Sequence, residues 1–158
     1  MRALLQRVLR AEVRVGDEVV GRIGPGLVVL LGVGHGDDDG TASRLAQRVA
    51  GLRIFADETG RTNRSLLEVG GEALVVSQFT LYADTRRGRR PGFTDAAPPE
   101  VATARYERFC ASLEAAGTRV ARGRFGAAMA VELVNDGPFT IWLDTAERAD
   151  GANVSGSP

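Results

Sequence analysis

Residues 72–84 constrain the fold of this chain most strongly, because they predict a buried β-strand around which the other elements must be arranged. Residues 73–76 are a short apolar run with β-branched side chains, bounded by Gly70 and Gly71 on one side and by a charged loop on the other. Such a run is typical of a buried strand. The rest of the chain is therefore expected to build a sheet that includes this strand.

The second half of this segment places uncharged polar side chains among apolar neighbours. Ser77, Gln78 and Thr80 each need a partner, since an unsatisfied buried polar group costs roughly 1–3 kcal/mol. Period-two alternation predicts that the side chains of residues 77, 79 and 81 lie on one face of the strand and those of residues 78, 80 and 82 on the other. A bulge or bend would bring both sets to one opening, where they would meet something polar. The alternative is an edge strand whose polar side chains face water.

The other segments predict α+β architecture rather than a doubly wound parallel sheet. Residues 1–15 and 18–23 flank a Gly16-Asp17 turn and predict a hairpin, and residues 27–33 predict a central strand. Runs of strands interrupted by only two helices favour one α+β domain. Further strands are predicted at residues 53–55, 120–123, 128–134 and 139–143, helices at residues 40–51 and 98–116, and a turn at residues 57–64.

The second predicted helix carries an apolar stripe that predicts packing rather than a cofactor site. The stripe consists of Val101, Tyr106, Phe109, Cys110 and Leu113. Residues 146–158 are small and polar with several glycines and serines, and they predict a disordered C-terminal tail after a domain of residues 1–145.

The composition excludes several kinds of site. The chain has one histidine and one cysteine, so no zinc cluster, disulfide or other metal or cofactor site is predicted, and a reduced cytoplasmic setting is expected. Twenty basic and twenty acidic residues cancel, so any binding of a polyanion has to be local. No apolar segment is long enough to span a membrane, and the sequence predicts a soluble protein. An enzyme built from this chain would use uncharged side chains, backbone groups or the hydroxyls of its substrate.

Two other stretches carry candidate binding chemistry. Residues 85–93 form a loop with four arginines in five positions, which predicts either a phosphate-binding loop or a solvated charged surface. Residues 135–140 read Asn-Asp-Gly-Pro-Phe-Thr, and the Asp-Gly pair predicts a hairpin turn. The functional alternative begins from Gly137 and Pro138, because an X-Pro bond adopts cis at modest cost and glycine leaves the backbone open to close approach.

In this order and at these separations, the motifs resemble the signature set of the D-aminoacyl-tRNA deacylase family. The resemblance covers residues 1 to 145 and includes the opening Met-Arg-Ala-Leu-Leu-Gln-Arg-Val. Two features depart from the family pattern: Phe139 stands where valine is usual, and the arginine loop is more basic than is usual in the family. The motifs are Ser77-Gln78-Phe79-Thr80-Leu81, Arg90-Pro91-Gly92-Phe93, Phe125-Gly126-Ala127-x-Met129 and Asn135-x-Gly137-Pro138-x-Thr140.

The resemblance implies a homodimer with its active site at the subunit interface, built on a β-barrel-like, mostly antiparallel sheet with two main helices. It implies that a cis Gly137-Pro138 pair enters the partner's pocket and rejects L-amino acids. It also implies catalysis by Ser77, Gln78, Phe79 and Thr80. The residues implied or predicted to bind the 3′ end of the tRNA are Phe125, Met129, Arg86, Arg87, Arg89 and Arg90.

The implied activity is hydrolysis of the ester of D-aminoacyl-tRNA, and of glycyl-tRNA mischarged on tRNA-Ala, as chirality proofreading in translation. The Ser77 hydroxyl and the amide of Phe79 or Thr80 are candidate donors to the oxyanion, and Gln78 is a candidate orienter. Thr80 is either a positioner or a nucleophile, but no activating base is visible. We therefore favour assistance by the ribose 2′-hydroxyl.

Two hypotheses from other classes stay open. One is a non-enzymatic RNA-binding module, which would use the arginine loop on phosphates and Phe93 or Phe125 for base stacking. The other is an unrelated small-molecule hydrolase with the same strand.

Overall fold

A computed structural model describes residues 1–146, which form a single α+β domain. The predicted disordered tail lies outside the described residues except for Ala146. The strands are β1 (Arg2–Val15), β2 (Glu18–Ile23), β3 (Gly26–Gly32), β4 (Phe55–Ala56), β5 (Thr62–Arg64), β6 (Glu72–Ser77), β7 (Arg119–Arg122) and β8 (Ala130–Asp144). The helices are α1 (Asp39–Gly51), a 3₁₀ helix (Phe79–Tyr82) and α2 (Pro99–Ala115).

The main sheet is mixed and curls into a nearly closed barrel. Its order is β2-β1-β3-β6-β7, with β8 added along β1. The pairings of β1 with β2, β3 and β8 are antiparallel, and those of β6 with β3 and β7 are parallel. The barrel nearly closes because β2 returns against β7: a Cβ added at Gly21 would lie 2.7 Å from the carbonyl oxygen of Arg122.

Strand β6 is buried on both faces, which explains its continuous apolar sequence. Ala73 and Val75 belong to the larger core cluster, between the sheet and the two helices. Leu74 and Val76 belong to a smaller cluster with residues of β1, β2 and β3. Tyr106 of α2 ties the helix layer to this strand, since its buried hydroxyl donates to the carbonyl oxygen of Val75 over 2.7 Å.

The predicted helices and the opening hairpin are confirmed. Asp38 caps α1 by accepting a hydrogen bond from the amide of Thr41 over 2.6 Å, and this bond lowers the pKa of the Asp38 carboxyl. Four of the five predicted stripe residues of α2 are buried, but Val101 is 37% exposed, so its predicted burial is wrong. None of the described helices has the length and apolar character that a membrane crossing requires.

The prediction that strand alternation continues past Ser77 is wrong. Strand β6 ends there, after the Gln78 amide donates to the carbonyl oxygen of Leu31 over 2.8 Å. The chain then turns into the 3₁₀ helix, because β3 also ends and offers no further ladder. The edge-strand alternative is wrong too, since β6 lies between β3 and β7.

The hairpin turn predicted at residues 135–140 is also wrong. Residues 130–144 form one continuous strand, β8, and β1 pairs with it on both sides of a bulge. Gln6 lies opposite Thr140 and Val8 lies opposite Asn135, so residues 136–139 stand opposite Arg7 alone. The length of β1, which a local pattern cannot reveal, decides this pairing.

A smaller error concerns the segment before β6. The predicted strand at residues 53–55 is displaced to Phe55–Ala56, and the predicted turn at residues 57–64 contains β5. The two strands form a separate antiparallel pair. Asp57 organises the turn between them by accepting hydrogen bonds from Thr59 and from the Arg61 amide.

Candidate active site

The 3₁₀ helix lies beside a cavity of about 470 Å³. The other walls come from Val33 just after β3, the segment before α2, the start of α2 and residues 125–126. None of the lining side chains is ionisable, so the described part of this chain supplies no acid or base there. The lining residues are Val33, Ser77, Phe79, Phe93, Ala96, Ala97, Pro98, Pro99, Ala102, Phe125 and Gly126.

Buried contacts of Tyr82 and Arg2 hold the 3₁₀ helix in place. The Tyr82 ring packs so tightly on Gly34 that a Cβ there would lie 2.8 Å from the tyrosine oxygen. Burial raises the pKa of the Tyr82 hydroxyl, which therefore stays protonated. The Arg2 guanidinium lies 4.4 Å from the centre of the Tyr82 ring and donates to the carbonyl oxygen of Leu81 over 2.9 Å. The position of the helix therefore depends on Arg2, a role that no local sequence pattern predicts.

The start of the 3₁₀ helix presents free hydrogen-bond donors. The amides of Phe79 and Thr80 donate to no other residue within residues 1–146, as expected for the first amides of a helix. Ser77 is half-buried and lines the cavity. The side-chain amide of Gln78 donates to the Thr80 hydroxyl. The structure thus brings Ser77 and Phe79 to the cavity, with Gln78 and Thr80 hydrogen-bonded to each other beside them.

Aromatic side chains give the cavity surfaces that suit a nucleobase. Phe79 is 58% exposed, and its ring meets that of Phe93 edge-on, with 4.9 Å between the centroids. Phe125 is half-buried and packs its ring 6.0 Å from that of Tyr106. Met129 does not line the cavity and packs instead against the smaller core cluster.

The arginine loop leads directly into the cavity wall. Backbone hydrogen bonds between Asp84 and Gly92, of 2.7 and 2.9 Å, close its base just before Phe93. The Asp84 carboxylate accepts two hydrogen bonds of 2.8 Å from Arg86, and this pairing lowers the pKa of Asp84. Arg87, Arg89 and Arg90 are exposed and form no ion pair within residues 1–146. The loop therefore offers three free positive charges instead of the four that its sequence suggests.

The β8 bulge presents Gly137 and Pro138 to solvent. Their peptide bond is cis, and Gly137 has a φ of +125°, a conformation that favours glycine. Asn135 closes the bulge by donating to the carbonyl oxygens of Arg7 and Phe139 over 2.8 and 3.0 Å. Neither Gly137 nor Pro138 lines the cavity of the same chain.

Arg7 supports the bulge from β1, a role that its sequence context alone does not predict. Its Nε lies 2.9 Å from a carboxylate oxygen of Asp136, and its Nη1 donates to the carbonyl oxygen of Ile54. Its guanidinium also lies 4.8 Å from the centre of the Phe139 ring. The available signal was a charge within an apolar strand, which has to be paired when it is partly buried.

Comparison with known proteins gives concordant matches. The family described as D-Tyr-tRNA(Tyr) deacylase matches residues 4–144. A D-aminoacyl-tRNA deacylase from Roseiflexus sp. (strain RS-1) is 65% identical over 146 residues, which cover 92% of this chain and 94% of that protein. One from Thermomicrobium roseum is 59% identical over 152 residues, which cover 96% and 99%.

Two solved structures are also similar. The structure named c-Myc DNA Unwinding Element Binding Protein has a TM-score of 0.86 and 39% identity, with 92% of this chain and 99% of that chain covered. A probable eukaryotic D-amino acid tRNA deacylase has a TM-score of 0.78, with 90% and 97% covered. At 22% identity, this second likeness concerns the fold alone.

Proposed function

The chain belongs to the D-aminoacyl-tRNA deacylase family, and from this premise we propose that its cavity receives the 3′ end of a D-aminoacyl-tRNA and that its 3₁₀ helix hydrolyses the ester. The products are a D-amino acid and free tRNA, so the enzyme acts in translation quality control in the cytoplasm. The observation that carries the proposal is the cavity beside the free Phe79 and Thr80 amides, in a chain that matches this family over residues 4–144.

The chemistry needs little from the protein because an aminoacyl ester is already activated. Water adds to the carbonyl carbon, the bond to the ribose 3′ oxygen breaks, and that oxygen takes a proton through the neighbouring 2′-hydroxyl. The Phe79 and Thr80 amides and the Ser77 hydroxyl stabilise the negative charge that develops on the carbonyl oxygen. One such donor is worth about 2.7–4 kcal/mol of barrier. The absence of ionisable side chains among the lining residues of this chain supports a mechanism without a protein base.

Thr80→Ala separates the two roles proposed for this threonine. Thr80 is exposed, and its only side-chain partner within residues 1–146 is Gln78, so no base activates it. We expect kcat to fall by about tenfold or less, because only positioning is lost. Loss of a nucleophile would instead remove several orders of magnitude. Single-turnover deacylation measures the fall, and an aminoacyl-Thr80 adduct in the mass spectrum of the wild-type enzyme would contradict the 2′-hydroxyl mechanism.

We propose that L-aminoacyl-tRNA is rejected by Gly137 and Pro138 of a second copy of the chain. Two observations support this arrangement. The pair is exposed on β8 and does not line the cavity of its own chain. The β1–β8 ribbon that carries it also exposes apolar side chains, at 53% for Leu9 and 42% for Trp142, which a monomer would leave in water. Sedimentation equilibrium tests the arrangement, because a monomer that still discriminates D from L would exclude it.

The terminal adenosine is assigned to the aromatic part of the cavity, between Phe125 and the Phe79–Phe93 pair. Stacking on aromatic rings contributes about 1–3 kcal/mol per base. Met129 stabilises the segment behind Phe125 and does not contact the base in this proposal, since it packs against the smaller core cluster.

The arginine loop is proposed to bind phosphates of the acceptor end. Arg87→Ala combined with Arg89→Ala should weaken tRNA binding and reduce its salt dependence, because each phosphate that is no longer neutralised lowers the slope of log K against log salt by about 0.7–0.9. Binding of uncharged tRNA at several salt concentrations measures both effects. Arg61→Ala is the control, since it removes an exposed arginine without an ion pair within residues 1–146. An unchanged salt slope in the double variant would show that the loop is a solvated surface that does not contact the tRNA.

A non-enzymatic nucleic-acid-binding module is the second candidate function. The name of the similar structure, c-Myc DNA Unwinding Element Binding Protein, favours it, as do the three loop arginines that form no ion pair within residues 1–146. Incubation with D-tyrosyl-tRNA and L-tyrosyl-tRNA separates the candidates. The deacylase releases D-tyrosine and spares the L ester, whereas a binding module binds both and cleaves neither.

A further inference from the structure

A second cavity of about 470 Å³ adjoins the candidate active site. The two cavities share one wall, formed where Gly34 pairs with Ala96 in an isolated bridge. Ala96 lines the active-site cavity, whereas Gly34 and Asp95 line the second one. His35 stiffens this wall, since its Nε2 lies 2.7 Å from the carbonyl oxygen of Thr94 and donates to it.

The charges on one side of the second cavity are already balanced within the protein. Arg2 pairs with Asp144 over 2.9 Å, and the amino group of Met1 pairs with Asp37 over 2.5 Å. Asp95 is exposed at the cavity and carries the remaining negative charge.

Helix α1 adds two positive charges that are not balanced in this way. Arg44 donates to the hydroxyl of Thr41 over 3.1 Å and helps to lower the pKa of the nearby Asp38 carboxyl, but it forms no ion pair within residues 1–146. Arg48 is half-buried, and its side chain has neither a hydrogen bond nor an ion pair within the same residues. The two arginines are four residues apart, so they lie on the same face of the helix and repel each other. Both line the cavity. An anion bound between them would offset this repulsion.

We propose that Arg44 and Arg48 bind a phosphate group of the tRNA acceptor end, beyond the nucleotide that occupies the active-site cavity. This inference rests on the proposed function. The shared wall supports it, because the active-site cavity and the cavity lined by Arg44 and Arg48 meet at the Gly34–Ala96 bridge. Arginine suits the task, since its planar guanidinium donates two parallel hydrogen bonds to a phosphate.

The test compares two substrates that differ in their phosphates. Arg44→Gln combined with Arg48→Gln should raise KM for D-tyrosyl-tRNA roughly tenfold at unchanged kcat. The salt slope should fall by about 0.7–0.9 for each phosphate that the variant no longer neutralises. KM for D-tyrosyl-adenosine, which has no phosphate, should stay the same. Arg61→Gln is the matched control, because Arg61 lies in the β4–β5 turn and does not line the cavity.

The other outcomes overturn the inference in distinguishable ways. An equal rise in KM for both substrates would make the arginines structural, and an unchanged KM and slope for the tRNA would leave them without this role. Calorimetry can also show that the double variant no longer binds inorganic phosphate. If its KM and salt slope for the tRNA then equal those of the wild type, the site binds a free anion and not the tRNA. If the wild type cleaves neither substrate, the proposed function fails. Binding of uncharged tRNA by the double variant then still tests the phosphate site.

Discussion

Glycyl-tRNA is expected to be cleaved by this enzyme, whereas L-alanyl-tRNA resists it. If backbone atoms of Gly137 and Pro138 occupy the volume of an L side chain, rejection is steric and does not depend on recognition of the D side chain. Glycine has no side chain to clash, and a site distinguishes one missing methyl by only about 10–200-fold. L-Alanine would force a methyl into occupied space, at a cost of about 3 kcal/mol or more, which corresponds to about a hundredfold or more in rate.

The measurement uses glycyl, D-alanyl and L-alanyl esters of the same tRNA at equal enzyme concentration. Hydrolysis without enzyme, measured for each ester, is the control that sets the background rate. The same mechanism predicts comparable rates for chemically diverse D-amino acids, because the pocket makes little contact with their side chains. An enzyme that spares glycyl-tRNA as completely as L-alanyl-tRNA recognises the D side chain directly, and the role assigned to Gly137 and Pro138 would then be wrong.

Gly26→Ala is expected to cause the largest loss of stability among the glycine substitutions. Gly26 begins β3 beside the first residue of β6, and a Cβ there would lie 1.9 Å from the carbonyl oxygen of Glu72 and 2.7 Å from its nitrogen. The added methyl therefore forces the two strands apart at the centre of the sheet. We expect the free energy of unfolding to fall by roughly 3–5 kcal/mol and Tm to fall by about 10 °C or more.

Gly51→Ala is the matched control for this substitution. Gly51 ends α1, it is exposed, and a Cβ there would meet nothing within 4 Å. Since alanine favours helix over glycine by up to about 1 kcal/mol, this variant should be as stable as the wild type or slightly more so. Denaturant unfolding of both variants gives the comparison. Equal free energies of unfolding for the two variants would mean that β3 and β6 can move apart at Gly26 without loss of stability.

The sequence predicts those elements whose form depends on local periodicity. Strand β6 is recognised because both of its faces are buried, and α1 because Asp38 caps it ahead of an amphipathic pattern. The 3₁₀ helix is missed because it depends on where β3 ends, and the bulge in β8 is missed because it depends on β1. Both are non-local facts that a pattern along one segment cannot contain.

The residues of the candidate site also divide into those that a local sequence pattern predicts and those that depend on distant parts of the chain. Ser77 is predicted as a site residue from its polar side chain in an apolar strand, and Phe79 from the resemblance to the deacylase family; the structure brings both to one cavity. Arg2 and Arg7 are not predicted, although they hold the 3₁₀ helix and the bulge in position. Their partners are a carbonyl of Leu81 and the carboxylate of Asp136, which lie more than 70 positions away in the chain.

The bulge in β8 has a consequence for how this protein can vary in length. The ladder between β1 and β8 is fixed independently on the two sides of the bulge, by Val8 with Asn135 and by Gln6 with Thr140. A deletion or insertion within residues 136–139 therefore leaves the register of both halves intact. A single deletion within residues 130–134 would instead turn every following side chain of that half to the opposite face. Variation in the length of the bulge can thus accumulate at the segment proposed to reject L substrates while the barrel keeps its packing.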